Sequence, residues 1–131
     1  MEIGPLITRS VLTVGENDSL SDAAREMVER GVGSAVVLGQ GGKPAGIVTD
    51  RDTLKVVAQG RDPTSIAVRD CLTRRISTAP DTMTVLEAAN TMREKNFRHL
   101  VVVDDTGALV GVFSMRDLVV GLLQEISTPA S

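Results

Sequence analysis

The chain has no tryptophan and no tyrosine, and its only aromatic side chains are Phe97 and Phe113. Proteins that hold single-stranded nucleic acid stack bases on aromatic rings, so that class loses its main physical support. The formal net charge of −3 argues the same way, because phosphate backbones attract basic faces. A single cysteine, Cys71, can form neither an internal disulfide nor a thiolate metal cluster, which favours a reducing compartment. A single histidine, His99, leaves no histidine-based metal site and no histidine relay. Long apolar runs are missing too. The run LVVV at 100–103 is far short of a membrane span, and MEIGPLITRS lacks the basic start and apolar stretch of a secretory signal. These absences predict a soluble, cytoplasmic protein with neither a membrane nor a nucleic acid as partner.

What is present is a core-forming composition and a repeat. Apolar residues make up 42% of the 131 positions and charged residues 24%, which suits one compact domain or two half-size units sharing a core. A shift of 65 residues carries GIVTDRD (46–52) onto GVFSMRD (111–117) and aligns the chain with itself, without a gap, from Ile3 to Asp52. ITRSVLTV falls on LTRRISTA, and SLSDAAREMVERG falls on TVLEAANTMREKN. With only two copies and a period longer than the usual solenoid repeats, two similar halves facing each other across a pseudo-two-fold are expected, not an open stack.

Each copy reads as β-α-β-β-α. A β-branched stretch comes first, Ser10 to Val14 and Ile76 to Ala79. In the first copy Ser19 is a good helix N-cap, Leu20, Ala23, Ala24, Met27 and Val28 form an apolar stripe, and Gly31 stops it. In the second, Thr84 and Glu87 make a capping box and Asn96 takes the place of Gly31. Two strands follow in each copy, at 34–38 and 45–49, then at 99–104 and 109–114, joined by the turn-forming GQGGKP and DDTGA. These strands are nearly all apolar, which predicts cover on both faces. A last helix starts at each motif. One ends near Gly60, and the other carries Leu118, Val119, Leu122, Leu123 and Ile126. The segment QGRDPTS (59–65) is the clear linker, so the division is a first repeat at 1–60, a linker at 61–67 and a second repeat at 68–131. The fold class is α/β (α+β), with small sheets and helices packed on them.

Several tempting motifs fail. GQGGKPAG is no phosphate-binding loop, because Pro44 follows Lys43 and no helix follows. Cys71 reads as a small buried side chain, since no base accompanies it. His99, at a strand start, suits a structural hydrogen bond or a ligand contact equally. Asp104 and Asp105 belong to a solvated turn. No set of side chains reads as catalytic machinery, and the chain reads as a non-enzyme.

One motif survives. Thr49 with Asp52, and Ser114 with Asp117, are capping-box-like helix starts, and such starts need no function. Yet a helix N-terminus with a hydroxyl at its mouth can hold an anion. Arg51 and Arg116 stand beside the acid in both copies, able to neutralise a phosphate, and a carboxylate suits ribose hydroxyls. Gly46 and Gly111 leave room for close approach by a ligand or by a neighbouring backbone. The combination spells ribonucleotide.

The order ITRSVLTV, LSDAAREM, GIVTDRD, EAANTM, FRHLVVVD and GVFSMRD resembles a tandem pair of cystathionine-β-synthase (CBS) domains, a Bateman module, over about residues 3 to 125. The resemblance implies a non-catalytic regulatory module with no obligate cofactor. It would bind an adenosyl nucleotide (AMP, ADP or ATP, sometimes S-adenosylmethionine or cyclic dinucleotides) and signal to a separate effector protein. It also implies a homodimer formed through helices. Carried over by position, Asp52 and Asp117 hold ribose hydroxyls, while Thr49, Ser114, Arg51 and Arg116 meet phosphate. Val11, Thr13, Ile76 and Thr78 edge the base, and Arg98 and His99 point toward phosphate. The sequence departs from the pattern at Val36 and Val101, where proline is common. The two copies also differ, with Gly33 and Ser34 facing Arg98 and His99, and Asp50 facing Met115, so the two sites are expected to be non-equivalent. The competing reading is a structural dimerisation module whose motifs are helix caps and bind nothing.

Overall fold

The computed structural model describes residues 1–127; the expected end of the second repeat, at 131, lies outside the described residues. Its elements are β1 (Thr13–Gly15), α1 (Leu20–Arg30), β2 (Ser34–Leu38), β3 (Pro44–Thr49) and α2 (Asp50–Ala58), then β4 (Thr78–Ala79), α3 (Val85–Lys95), β5 (His99–Val103), β6 (Leu109–Ser114) and α4 (Met115–Ser127). The strands form two three-stranded sheets, β1-β2-β3 and β4-β5-β6. In each, the first pair is parallel and the second antiparallel. This is the expected α+β architecture, twice over.

The leading strands are shorter than the β-branched stretches suggested. Pairing with the middle strand starts only at Thr13 and Thr78, which leaves Ser10 to Leu12, Ile76 and Ser77 outside the named strands. Helix ends follow the expected chemistry. Ser19 accepts from the Asp22 N–H at 3.0 Å, and Thr84 and Glu87 form a reciprocal capping box. Gly31 (φ 66°) and Asn96 (φ 56°) end α1 and α3 in the left-handed conformation, which glycine and asparagine tolerate best. The α1 stripe holds except at one end. Leu20, Ala23 and Met27 are buried, while Val28 is 80% exposed. At 3.6 residues per turn, Val28 sits roughly 100° round the helix from the centre of that buried face. The α4 stripe splits for the same reason: Leu118 is buried, while Val119, Leu123 and Ile126 form an apolar face in solvent.

The chain divides into two compact units that do not follow the repeat boundaries. Val11–Arg75 form the first unit; Met1–Ser10 and the described residues from Ile76 onward form the second. Main-chain hydrogen bonds explain the division. In the first unit the Val68 N–H donates to Asp18 O at 2.8 Å, and the Leu20 N–H to Ile66 O at 2.8 Å. In the second, Ile3 N–H donates to Met83 O at 2.9 Å and Val85 N–H to Met1 O at 2.8 Å. These are equivalent bonds, 65 residues apart. Residues 61–67 are therefore more than a spacer, and they include a capped turn at Pro63–Ser65. Each unit has its own core. Leu12, Val14, Leu20, Met27, Val37, Val48 and Val68 lead one; Ile3, Ala79, Val85, Met92, Leu100, Val102 and Phe113 lead the other. The middle strands are buried on successive residues, Ala35–Val37 and Leu100–Val102, as near-continuous apolar runs require.

Candidate functional site

Both GIVTDRD and GVFSMRD run from the last strand of a sheet straight into a helix. In the first unit, the Thr49 N–H and hydroxyl both donate to Asp52 Oδ2, at 2.8 and 3.1 Å, and the Asp52 N–H donates back to Thr49 Oγ1 at 3.3 Å. In the second unit Ser114 and Asp117 repeat this, at 2.9, 3.0 and 3.2 Å. The capping-box reading therefore holds in both copies. It uses only one oxygen of each aspartate. Oδ1 of Asp52 and of Asp117 makes no hydrogen bond among the described residues, and both residues are half-buried. A carboxylate held by one oxygen and open at the other is a positioned acceptor suited to a vicinal diol.

Strand register gathers the other expected residues at one end of each sheet. Ser34 pairs with Thr49, and Thr13 with Val36, which places Val11 level with Ser34. His99 pairs with Ser114, and Thr78 with Val101, which places Ile76 level with His99. Val11 and Ile76 are half-buried and Thr13 and Thr78 exposed, while Leu12, Val14, Ser77 and Ala79 between them face inward. The Val36 N–H donates to Leu12 O, and the Val101 N–H to Ser77 O, both at 2.9 Å. This alternation turns the main-chain groups of Thr13 and Thr78 toward the open edge of β1 and β4, where a flat base could be edged. Arg51, Arg116 and Arg98 are exposed and form no ion pair among the described residues.

The two motif glycines have a structural cause. A Cβ on Gly46 would stand 2.5 Å from Thr73 O, and one on Gly111 2.5 Å from Thr8 O. Thr73 bridges to Ile47 through hydrogen bonds of 2.8 and 2.9 Å, and Thr8 to Val112 through 2.9 and 3.0 Å. Of the two openings left by the sequence, a neighbouring backbone is the one that fills the space.

Other singled-out residues are structural. The Cys71 thiol packs on the first core, 3.5 Å from Val68 O, and burial chiefly, with Asp52 and Asp70, raises its pKa against the opposing Arg61. Asp104 caps its turn, accepting from the Thr106 hydroxyl and N–H and the Ala108 N–H, which lowers its pKa. GQGGKP forms a turn with Gly41 and Gly42 at positive φ. Among the described residues, no three His, Cys, Asp or Glu side chains gather to hold a metal ion, and no helix is long and apolar enough to cross a membrane. Two features escaped the sequence reading. Ser77 is a buried serine that accepts from Lys95 Nζ at 3.3 Å, at the position of Leu12 in the other copy. Thr53 Oγ1 is buried without a hydrogen-bond partner, at the position of Leu118. The self-alignment held a signal for both, a polar residue set against an apolar one.

A family model for the CBS domain matches the chain twice, at residues 3–59 and 68–123. An uncharacterized protein of Methanopyrus kandleri is 35% identical over 119 residues, covering 90% of this chain and 61% of the relative's own length. The chain thus spans less than two thirds of that relative. A CBS domain protein of Pyrobaculum aerophilum, solved in complex with AMP, is 32% identical with a TM-score of 0.85, over 98% of this chain and 100% of its own. The structure of CBSX2 in complex with AMP is 26% identical with a TM-score of 0.81, over 95% of this chain and 98% of its own.

Proposed function

The chain belongs to the CBS-domain family, as two repeats in tandem, and from that premise we propose that it is a regulatory module binding an adenosyl nucleotide. The observation that carries the proposal is the doubled capping box. In each copy it fixes an aspartate through one oxygen and leaves the other open at the mouth of a helix. Asp52 and Asp117 hold the ribose hydroxyls. Thr49, Ser114, Arg51 and Arg116 serve the phosphate side with Arg98 and His99, and the backbone about Val11, Thr13, Ile76 and Thr78 edges the base. The AMP found in two proteins of similar fold supports this ligand class; ADP and ATP carry the same adenosine and α-phosphate.

The module performs no catalysis of its own. Ligand shifts the population of its conformations, and a separate effector protein reads the shift. The module works in the cytoplasm as a homodimer, and the uncovered apolar face of α4 (Val119, Leu123 and Ile126) supplies a surface for pairing. Thermal shift with AMP, ADP, ATP and adenosine tests the reading. A ligand at about a hundred times its dissociation constant adds about 2.7 kcal/mol of stability, and Asp52→Ala and Asp117→Ala each weaken it. If no nucleotide raises the melting temperature, the motifs are helix caps alone and the module is a structural dimerisation unit. Turnover of any of these nucleotides would make it an enzyme.

A further inference from the structure

The two motif ends share a backbone and differ in charge. At the head of α2 the Asp50 N–H donates to the Gly33 carbonyl at 2.9 Å, and at the head of α4 the Met115 N–H donates to the Arg98 carbonyl at the same distance. The frames are equivalent, so the side chains at 33 and 50 can be set directly against those at 98 and 115. Asp50 turns one carboxylate oxygen back on its own helix, accepting from the Arg51 N–H at 2.8 Å. Its other oxygen lies over Gly33, 3.2 Å from where a Cβ would stand. One of the free donors at the start of α2 is therefore already matched with a resident anion. A side chain at position 33 would press on that carboxylate, so Gly33 and Asp50 form one arrangement.

The second unit inverts it. Met115 brings no charge, and Arg98 projects where Gly33 has nothing. Positions 33, 50, 51 and 52 carry two aspartates and one arginine, net −1, whereas 98, 115, 116 and 117 carry two arginines and one aspartate, net +1. An incoming phosphate meets a like charge at short range in the first case and a bidentate donor in the second. Specificity between similar ligands commonly rests on such a repulsive element as much as on an attractive one.

Resting on the adenosyl-binding reading, we infer that Asp50 and Arg98 are specificity determinants that divide the ligands between the two motif ends. The end built on Ser114 and Asp117 takes an adenosyl ligand carrying phosphate. The end built on Thr49 and Asp52 prefers an adenosyl ligand without phosphate, neutral or cationic at its 5′ substituent, and takes AMP more weakly.

Isothermal titration of the full chain with AMP and with adenosine tests this. In the wild type the two AMP dissociation constants differ by about tenfold or more, and the two for adenosine by less than about threefold. Arg98→Ala weakens the tighter AMP event about tenfold and spares adenosine. Asp50→Met brings the weaker AMP event to within about threefold of the tighter one. Asp50→Asn, which keeps a side-chain acceptor at the helix start without its charge, does the same and guards against a local effect of methionine. Two equal AMP events in the wild type, or an AMP gap that both Asp50 variants leave unchanged, overturn the inference while the adenosyl reading stands. Binding of neither ligand removes the adenosyl reading itself, and this inference with it.

Discussion

Where the last helix of each unit meets the segment that leads in from the other repeat, the two halves distribute side-chain volume in opposite ways. The second unit sets Gly121 under Leu6, whose Cδ1 would lie 2.8 Å from a Cβ added to the glycine. At the equivalent positions the first unit has Val56 and Cys71, which pack in the same core. Large-on-small has become middling-on-middling, while the main-chain bonds around both places remain the same. At the motif glycines the halves agree. Gly46 and Gly111 face a backbone oxygen at the same 2.5 Å, and no neighbouring side chain can shrink to relieve that. The pair limited by side chains has changed at both members, while these two glycines, limited by a backbone oxygen at 2.5 Å, are the same in both copies.

The strongest way to break this comparison is to load the fixed positions. Gly46→Ala and Gly111→Ala each destabilise by about 3 kcal/mol, because the added methyl drives apart a pair of main-chain hydrogen bonds. Urea denaturation checks this; a loss in only one copy would deny the equivalence. Loading the drifting position costs less. Gly121→Ala loses about 1 kcal/mol, since Leu6 and Val85 must yield while helix propensity improves. Adding Leu6→Cys, which imitates the first unit, recovers part of that loss, and a double-mutant cycle measures the coupling.

Thr49→Ala and Ser114→Ala each cost about 1 kcal/mol, equally in the two units, as matched capping boxes demand. The smallest effect separates the two strand connections. Asp104 has a lowered pKa in the fold, so its stabilisation is complete above its unfolded-state pKa and is lost as pH falls through the folded value. The protection factors of the Thr106 and Ala108 amides, corrected for the intrinsic exchange rate, therefore fall in acid, while the glycine turn at Gln40–Gly42, which has no such carboxylate, does not respond in this way.

Much of this architecture was legible in the sequence because the signals were local or doubled. Ser19, Gly31, Thr84 and Asn96 announced helix ends through short-range chemistry, and the 65-residue shift exposed the repeat. The boundaries of the compact units were not legible. They depend on main-chain bonds such as Val68 to Asp18 and Ile3 to Met83, and backbone groups carry no residue-type signature. The Val28 reading failed because a stripe written as a list ignores angle, and that residue lies at its edge. At the site, the residue pairs Thr49–Asp52 and Ser114–Asp117 could be read directly, whereas the role of the motif glycines needed the position of Thr73 and Thr8. The contrast of Asp50 with Met115 was visible as a mismatch. Its physical meaning appeared only with the Asp50 carboxylate lying over Gly33.

On the proposed reading, one short motif, made twice, caps a helix with one carboxylate oxygen and clasps an adenosyl ligand with the other. Titration of the ¹⁵N-labelled full chain with AMP and adenosine, followed by backbone amide shifts, tests it most directly. Saturable shifts are expected at Ser114–Asp117 at low AMP and at Thr49–Asp52 only at about tenfold higher AMP, and at both stretches together with adenosine. Saturating ligand that leaves both stretches unmoved would contradict that reading.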